Sequence, residues 1–143
     1  MAIVLAYAGY VVFKFFGYVL AARVLGTIVA PPGATIWRVG LVRTILGIVV
    51  GAAYTATFGA VARHGLFEGL PLNGGRGGAI LWYPIGLLPV RVLEWSWLIW
   101  YFFDRAWARP ARNLGAVALG VIWSFVLDLP AMVAGVWFVS SIC

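Results

Sequence analysis

The run TILGIVVGAAYTATFGAVA, residues 44–62, decides the class of this protein. It is the longest stretch without a charged side chain, and it contains no Pro, Asn or Asp to turn the chain. As a helix rising 1.5 Å per residue it is about 28 Å long, close to the roughly 30 Å hydrocarbon core of a bilayer. The chain around it has the same character. Of 143 residues, 64% are hydrophobic, 16% aromatic and 10% charged, and the mean hydropathy is +1.04. Soluble domains run about 45–50% apolar and about 25% charged. A soluble enzyme core and intrinsic disorder are therefore both excluded, and a one-domain integral membrane protein is expected.

Three further segments have the length and composition of spans. Working outward from the central run, the spans are expected at about 3–29, 39–62, 79–103 and 114–139. The first stops at Ala30-Pro31-Pro32-Gly33, because a proline disfavours helix in the residue before it. The loop from Arg63 to Gly78 is rich in glycine and has little preference for helix or strand. The connections are short, and short connections favour antiparallel neighbours. The expected fold is an all-α integral membrane protein, residues 1–143 forming a single transmembrane domain of four helices in an up-down bundle. Pro84 and Pro89 flank Gly86, so helix three is expected to be kinked or broken there.

Ten basic residues face four acids, a net charge of +6. Loops one and three, with their flanks, hold Arg23, Arg38, Arg43, Arg105, Arg109 and Arg112; loop two holds Arg63 and Arg76. Basic residues collect on the cytoplasmic side. Loops one and three are therefore expected in the cytoplasm of a bacterial-type inner (plasma) membrane, with both termini outside. No base-reading surface is visible, so nucleic acid is not an expected partner. The single cysteine, Cys143, excludes an intrachain disulfide and CxxC chemistry, and the single His64 excludes most zinc sites. The apolar start without a basic leader region reads as a first span rather than a cleaved signal.

The informative residues are charges inside the spans: Lys14, Arg91, Glu94 and Asp128. Each costs about 2.5–3.5 kcal/mol at mid-bilayer on insertion scales, and such groups normally face the bundle interior in pairs. Arg91 and Glu94 are three apart and share a helix face. Tyr10, Lys14 and Tyr18 repeat every fourth residue, as do Ala116, Gly120, Ser124 and Asp128. The four charges are read as an ion or solute site at the midplane, or else as a cluster that fixes helix register. Asp128 has no charged neighbour on its own helix and depends on Lys14 or water. On that ground it is the expected titrating group, ahead of Glu94.

Gly47, Gly51, Thr55 and Gly59 also repeat every fourth residue, a stripe that serves helix packing within the chain or contact between copies. His64 and Glu68, and the run Asn73-Gly74-Gly75-Arg76-Gly77-Gly78, read as loop. They make neither a metal site nor a phosphate-binding loop. Trp95, Trp97, Trp100, Tyr101, Phe102 and Phe103 read as an interfacial girdle, or as a surface for lipid, quinone or pigment. No cofactor and no catalytic residue is expected, because one His and one Cys assemble no nucleophile–base pair and no metal set. Two functions follow: an oligomeric transporter or channel for an ion or small polar solute, or a non-catalytic accessory subunit of a larger redox, photosynthetic or transport complex. Both take the lipid bilayer as a partner, together with copies of the chain or other membrane subunits.

Overall fold

The computed structural model describes residues 2–29, 36–63 and 75–133, and these are helical apart from the turn between the last two helices. The helices are α1 (Ala2–Ile28), α2 (Ile36–Arg63), α3 (Gly75–Phe102) and α4 (Pro110–Val133). Four helices are present, as expected; the end of the fourth expected span, residues 134–139, lies outside the described residues. α2, α3 and α4 begin three to four residues earlier than the expected spans, taking in residues 36–38, 75–78 and 110–113. α4 opens on Pro110, where the missing N–H has no helical partner to lose. His64, Glu68, Asn73, Gly74 and residues 134–143 lie outside the described residues, as does the loop of residues 30–35. α3 continues as one helix through Pro84 and Pro89, without a break.

Over Tyr7–Ile28, Ile36–Tyr54 and Pro110–Pro130, three of the four helices are long and apolar enough to cross a membrane. The polarity of the bundle is inverted relative to a soluble one. Leu5, Phe16, Val49, Leu93 and Ile122 are exposed, while Lys14, Arg43, Arg91, Glu94 and Asp128 are buried.

The helices run antiparallel in sequence order. Arg43 on α2 meets Glu94 on α3, Trp95 on α3 lies against Ser124 on α4, and α1 closes the ring by pairing Lys14 with Asp128. Close approach depends on small residues, as at Gly40 and Gly120. A Cβ on Gly40 would come within 3.1 Å of the Val19 backbone nitrogen, so α2 rests directly on α1. A Cβ on Gly120 would overlap the Trp95 ring, 2.6 Å from Cε3. Tyr18, Leu25, Trp95, Leu98, Ile99, Ala116 and Val121 form the apolar core, mainly on the loop-three side of the charges.

The loop-three end is tied down by hydrogen bonds. Arg112 donates to the Ile28 carbonyl, satisfying a free acceptor at the end of α1 with a cation. Asn113 donates to the Asp104 carboxylate at 2.8 Å. That bond, with backbone bonds from Ala108, Arg109 and Ala106, holds the Asp104 carboxyl below the usual carboxylate range. Trp107 closes the turn at a φ of 48°.

Candidate functional site

The fourfold spacing on α1 and α4 turns one narrow face of each helix inward. α1 brings Tyr10, Lys14 and Tyr18; α4 brings Gly120, Ser124 and Asp128. α3 adds Arg91, Glu94 and Trp95 from adjacent turns. These side chains join into one ladder. Lys14 Nζ lies 2.6 Å from Asp128 Oδ1, and Arg91 Nη2 lies 3.5 Å from Oδ2 of the same carboxylate. Tyr10 donates its hydroxyl to Asp128 Oδ1 at 3.2 Å. Arg91 Nη1 is 3.6 Å from Glu94 Oε2, and Arg43 Nη2 approaches that oxygen to 2.9 Å. Every charged member is at most 7% exposed. All four charges named from the sequence thus lie in one connected layer.

The ladder has a fifth charged member that sequence reasoning put elsewhere. Arg43, counted above among the basic flanks of loop one, is fully buried and is the nearest cation to Glu94. Two corrections follow. The four charges named from the sequence are two of each sign, but with Arg43 three cations meet two carboxylates among the described residues. The basic excess at the ends of loops one and three falls to five arginines against two. The signal was present in the sequence, since Arg43 extends the Gly47, Gly51, Thr55, Gly59 series by one turn toward the N-terminus of α2.

Asp128 also differs from its expected setting. It meets two cations and a tyrosine hydroxyl, and so is at least as well paired as Glu94.

Aromatic walls enclose the Arg43 end. The guanidinium carbon lies 4.7 Å from the Tyr18 ring centre and 5.6 Å from that of Trp95. A cation over an aromatic face gains electrostatic stabilisation from the ring quadrupole. Trp95 donates Nε1–H to Ser124 Oγ at 2.9 Å, Arg43 Nη2 reaches the same oxygen at 3.4 Å, and Ser124 donates to the Gly120 carbonyl. Arg43 Nε and Nη1 and the Tyr18 hydroxyl are buried without a hydrogen-bond partner. Trp95 therefore leaves the aromatic girdle: it is 0% exposed, whereas Trp97, Trp100 and Tyr101 on the opposite face of α3 are 41–43% exposed. The cause is helical phase, since Arg91, Glu94, Trp95 and Leu98 share the inner face.

Gly47 and Gly51 are buried within the chain, while the surroundings of Thr55 and Gly59 lie outside the described residues. The Tyr54 hydroxyl rests where a Cβ on Gly86 would stand. Among the described residues no three of His, Cys, Asp and Glu gather within reach of one metal ion. At the loop-three end Arg23, Arg109 and Arg112 line an open cavity of about 780 Å³ with Asp104. On the outside, Phe13, Phe16, Leu20, Trp123, Val126 and Leu129 border an apolar groove of about 950 Å³ between α1 and α4. Comparison with protein-family models, curated proteins and solved structures finds no match to the chain.

Proposed function

We propose that this chain is an integral membrane protein that acts, in an oligomer, as a transporter or channel for an ion or small polar solute, with the buried ladder as its site. The observation that carries this reading is the unbroken sequence of ion pairs from Arg43 through Glu94 and Arg91 to Asp128 and Lys14, inside a bundle with an apolar exterior. Ionisable groups within spanning helices mark ion and proton pathways, and their cost argues against retention without use. Pro89, two residues before Arg91, and Pro130, two after Asp128, remove backbone hydrogen bonds beside the ladder, so a bend at either would open polar backbone to water. The chain is assigned to a bacterial-type inner membrane with loops one and three in the cytoplasm, on the five-to-two arginine asymmetry.

A second reading is favoured by the apolar groove between α1 and α4 and by the exposed Trp97, Trp100 and Tyr101. An apolar groove of this kind suits an accessory subunit packed against another membrane protein.

Reconstitution of the purified chain into liposomes separates the two. Ion or proton flux is expected from the chain alone. Removing Lys14 and Asp128 together, as Lys14→Met with Asp128→Asn, keeps the net charge of the layer. This double variant should assemble and lose the flux. Unchanged flux in the double variant would sink the ladder as the pathway. Absence of flux from the wild type, with stable co-purification of other subunits, would favour the accessory role.

A further inference from the structure

The buried layer has more cations than carboxylates among the described residues, and unpartnered donors gather around Arg43. Lys14, Arg43 and Arg91 supply three positive charges, and Glu94 and Asp128 two negative ones, all at most 7% exposed. Burying an uncompensated charge is costly, so an excess of one buried charge among the described residues calls for a counter-ion. Independently, Arg43 Nε, Arg43 Nη1 and the Tyr18 hydroxyl are buried donors with no acceptor. A buried donor left unmet carries its full desolvation cost. The two side chains are in contact, the guanidinium carbon standing 4.7 Å from the Tyr18 ring centre. At the other end Lys14 and Tyr10 both reach Asp128.

From these two observations we infer that a single small monovalent anion of the halide class binds at the open donors of Arg43 (Nε and Nη1) and the Tyr18 hydroxyl. The charge follows from the excess of one. An acceptor-only ion suits a set made of N–H and O–H donors. The ion must be small because Arg43, Tyr18 and Trp95 are among the largest fully buried side chains and pack on one another. This inference rests on the ladder being the functional site and names the charge class of the ion it holds.

Chloride binding to the full chain in detergent tests it, by calorimetric titration at constant ionic strength with gluconate as the balancing anion. One chloride per chain is expected, with higher thermal stability in chloride than in gluconate. Tyr18→Phe removes one donor and should weaken binding by about tenfold or more. Arg43→Gln removes the excess charge and two donors and should abolish binding. Glu94→Gln raises the excess by one and should tighten it, the opposite sign, which a merely misfolded variant would not give. If the wild type binds no chloride, or if Tyr18→Phe and Glu94→Gln both leave the affinity unchanged, the site is overturned. Chloride binding without any flux keeps the anion site and discards transport. Proton or cation flux that is indifferent to chloride, in a chain that does not bind it, keeps transport and overturns the anion site.

Discussion

At one end of the ladder Lys14 and Arg91 both reach Asp128, and Tyr10 donates to the same carboxylate. At the other end Arg43 shares Glu94 with Arg91 and lies between the rings of Tyr18 and Trp95. The two ends bury charge by different means. Hydrogen bonds to a carboxylate satisfy both the charge and the direction of each donor. An aromatic face offsets charge but accepts no conventional hydrogen bond in the plane of the guanidinium, so directional donors stay open. The Asp128 end is consequently the more sensitive to loss of a single residue. The Arg43 end has spare donors.

The largest effect should come from Asp128→Ala, which removes the carboxylate that Lys14 and Arg91 share. Removing one partner of a buried pair costs about 3–5 kcal/mol, and replacing both partners with apolar groups is often close to neutral. Unfolding of the variants in micelles should show that loss for Asp128→Ala and recovery of most of it in the Lys14→Met, Asp128→Leu double variant. A cost under about 1 kcal/mol for the single change would break the comparison, since that is the scale of an exposed pair.

A smaller effect is expected at the Arg43 end. Trp95→Phe keeps an aromatic face for the cation and deletes the Nε1–H bond to Ser124. The loss should be about 1 kcal/mol in the same unfolding assay, the usual worth of one hydrogen bond. A loss as large as that of Asp128→Ala would mean that the rings do not substitute for ionic partners.

The smallest effect belongs to Asp104, a solvent-facing carboxylate that serves as a reference for the buried ones. Its folded value lies below the ordinary one, so its contribution to stability is complete above the ordinary Asp value of about 3.9 and is lost as pH falls through the folded value. Melting followed across acid pH should be shallower in Asp104→Asn than in the wild type. Identical acid limbs would remove Asp104 from the anchoring of α4.

Most of the architecture is legible in the sequence because four apolar runs separated by short turns admit few arrangements. The site is legible in part. Lys14 and Asp128 stand out because each lies in the middle of an apolar run and continues a fourfold stripe. Arg43 does not stand out: it lies seven residues into α2, beside the loop flank where arginine is ordinarily a marker of sidedness. Trp95 is obscured by composition, since it belongs to a cluster of aromatics that faces two ways. Which of them turns inward depends on the phase set by Arg91 and Glu94, and that phase becomes unambiguous only when α4 presents Ser124 and Gly120 to it.

The ladder also sets an order of events during synthesis. α1 and α2 contribute Lys14 and Arg43, and neither helix contains an Asp or Glu. The carboxylates that neutralise them are Glu94 and Asp128, encoded in the second half of the chain. At about 5–20 residues per second, Lys14 leaves the ribosome roughly ten seconds before its counter-charge is made. Through that interval the first hairpin carries Lys14 and Arg43 without the carboxylates that pair with them in the finished bundle. A chain halted before α3 therefore lacks both carboxylates of the ladder, and Lys14 and Arg43 cannot reach the ion pairs they hold in the complete bundle.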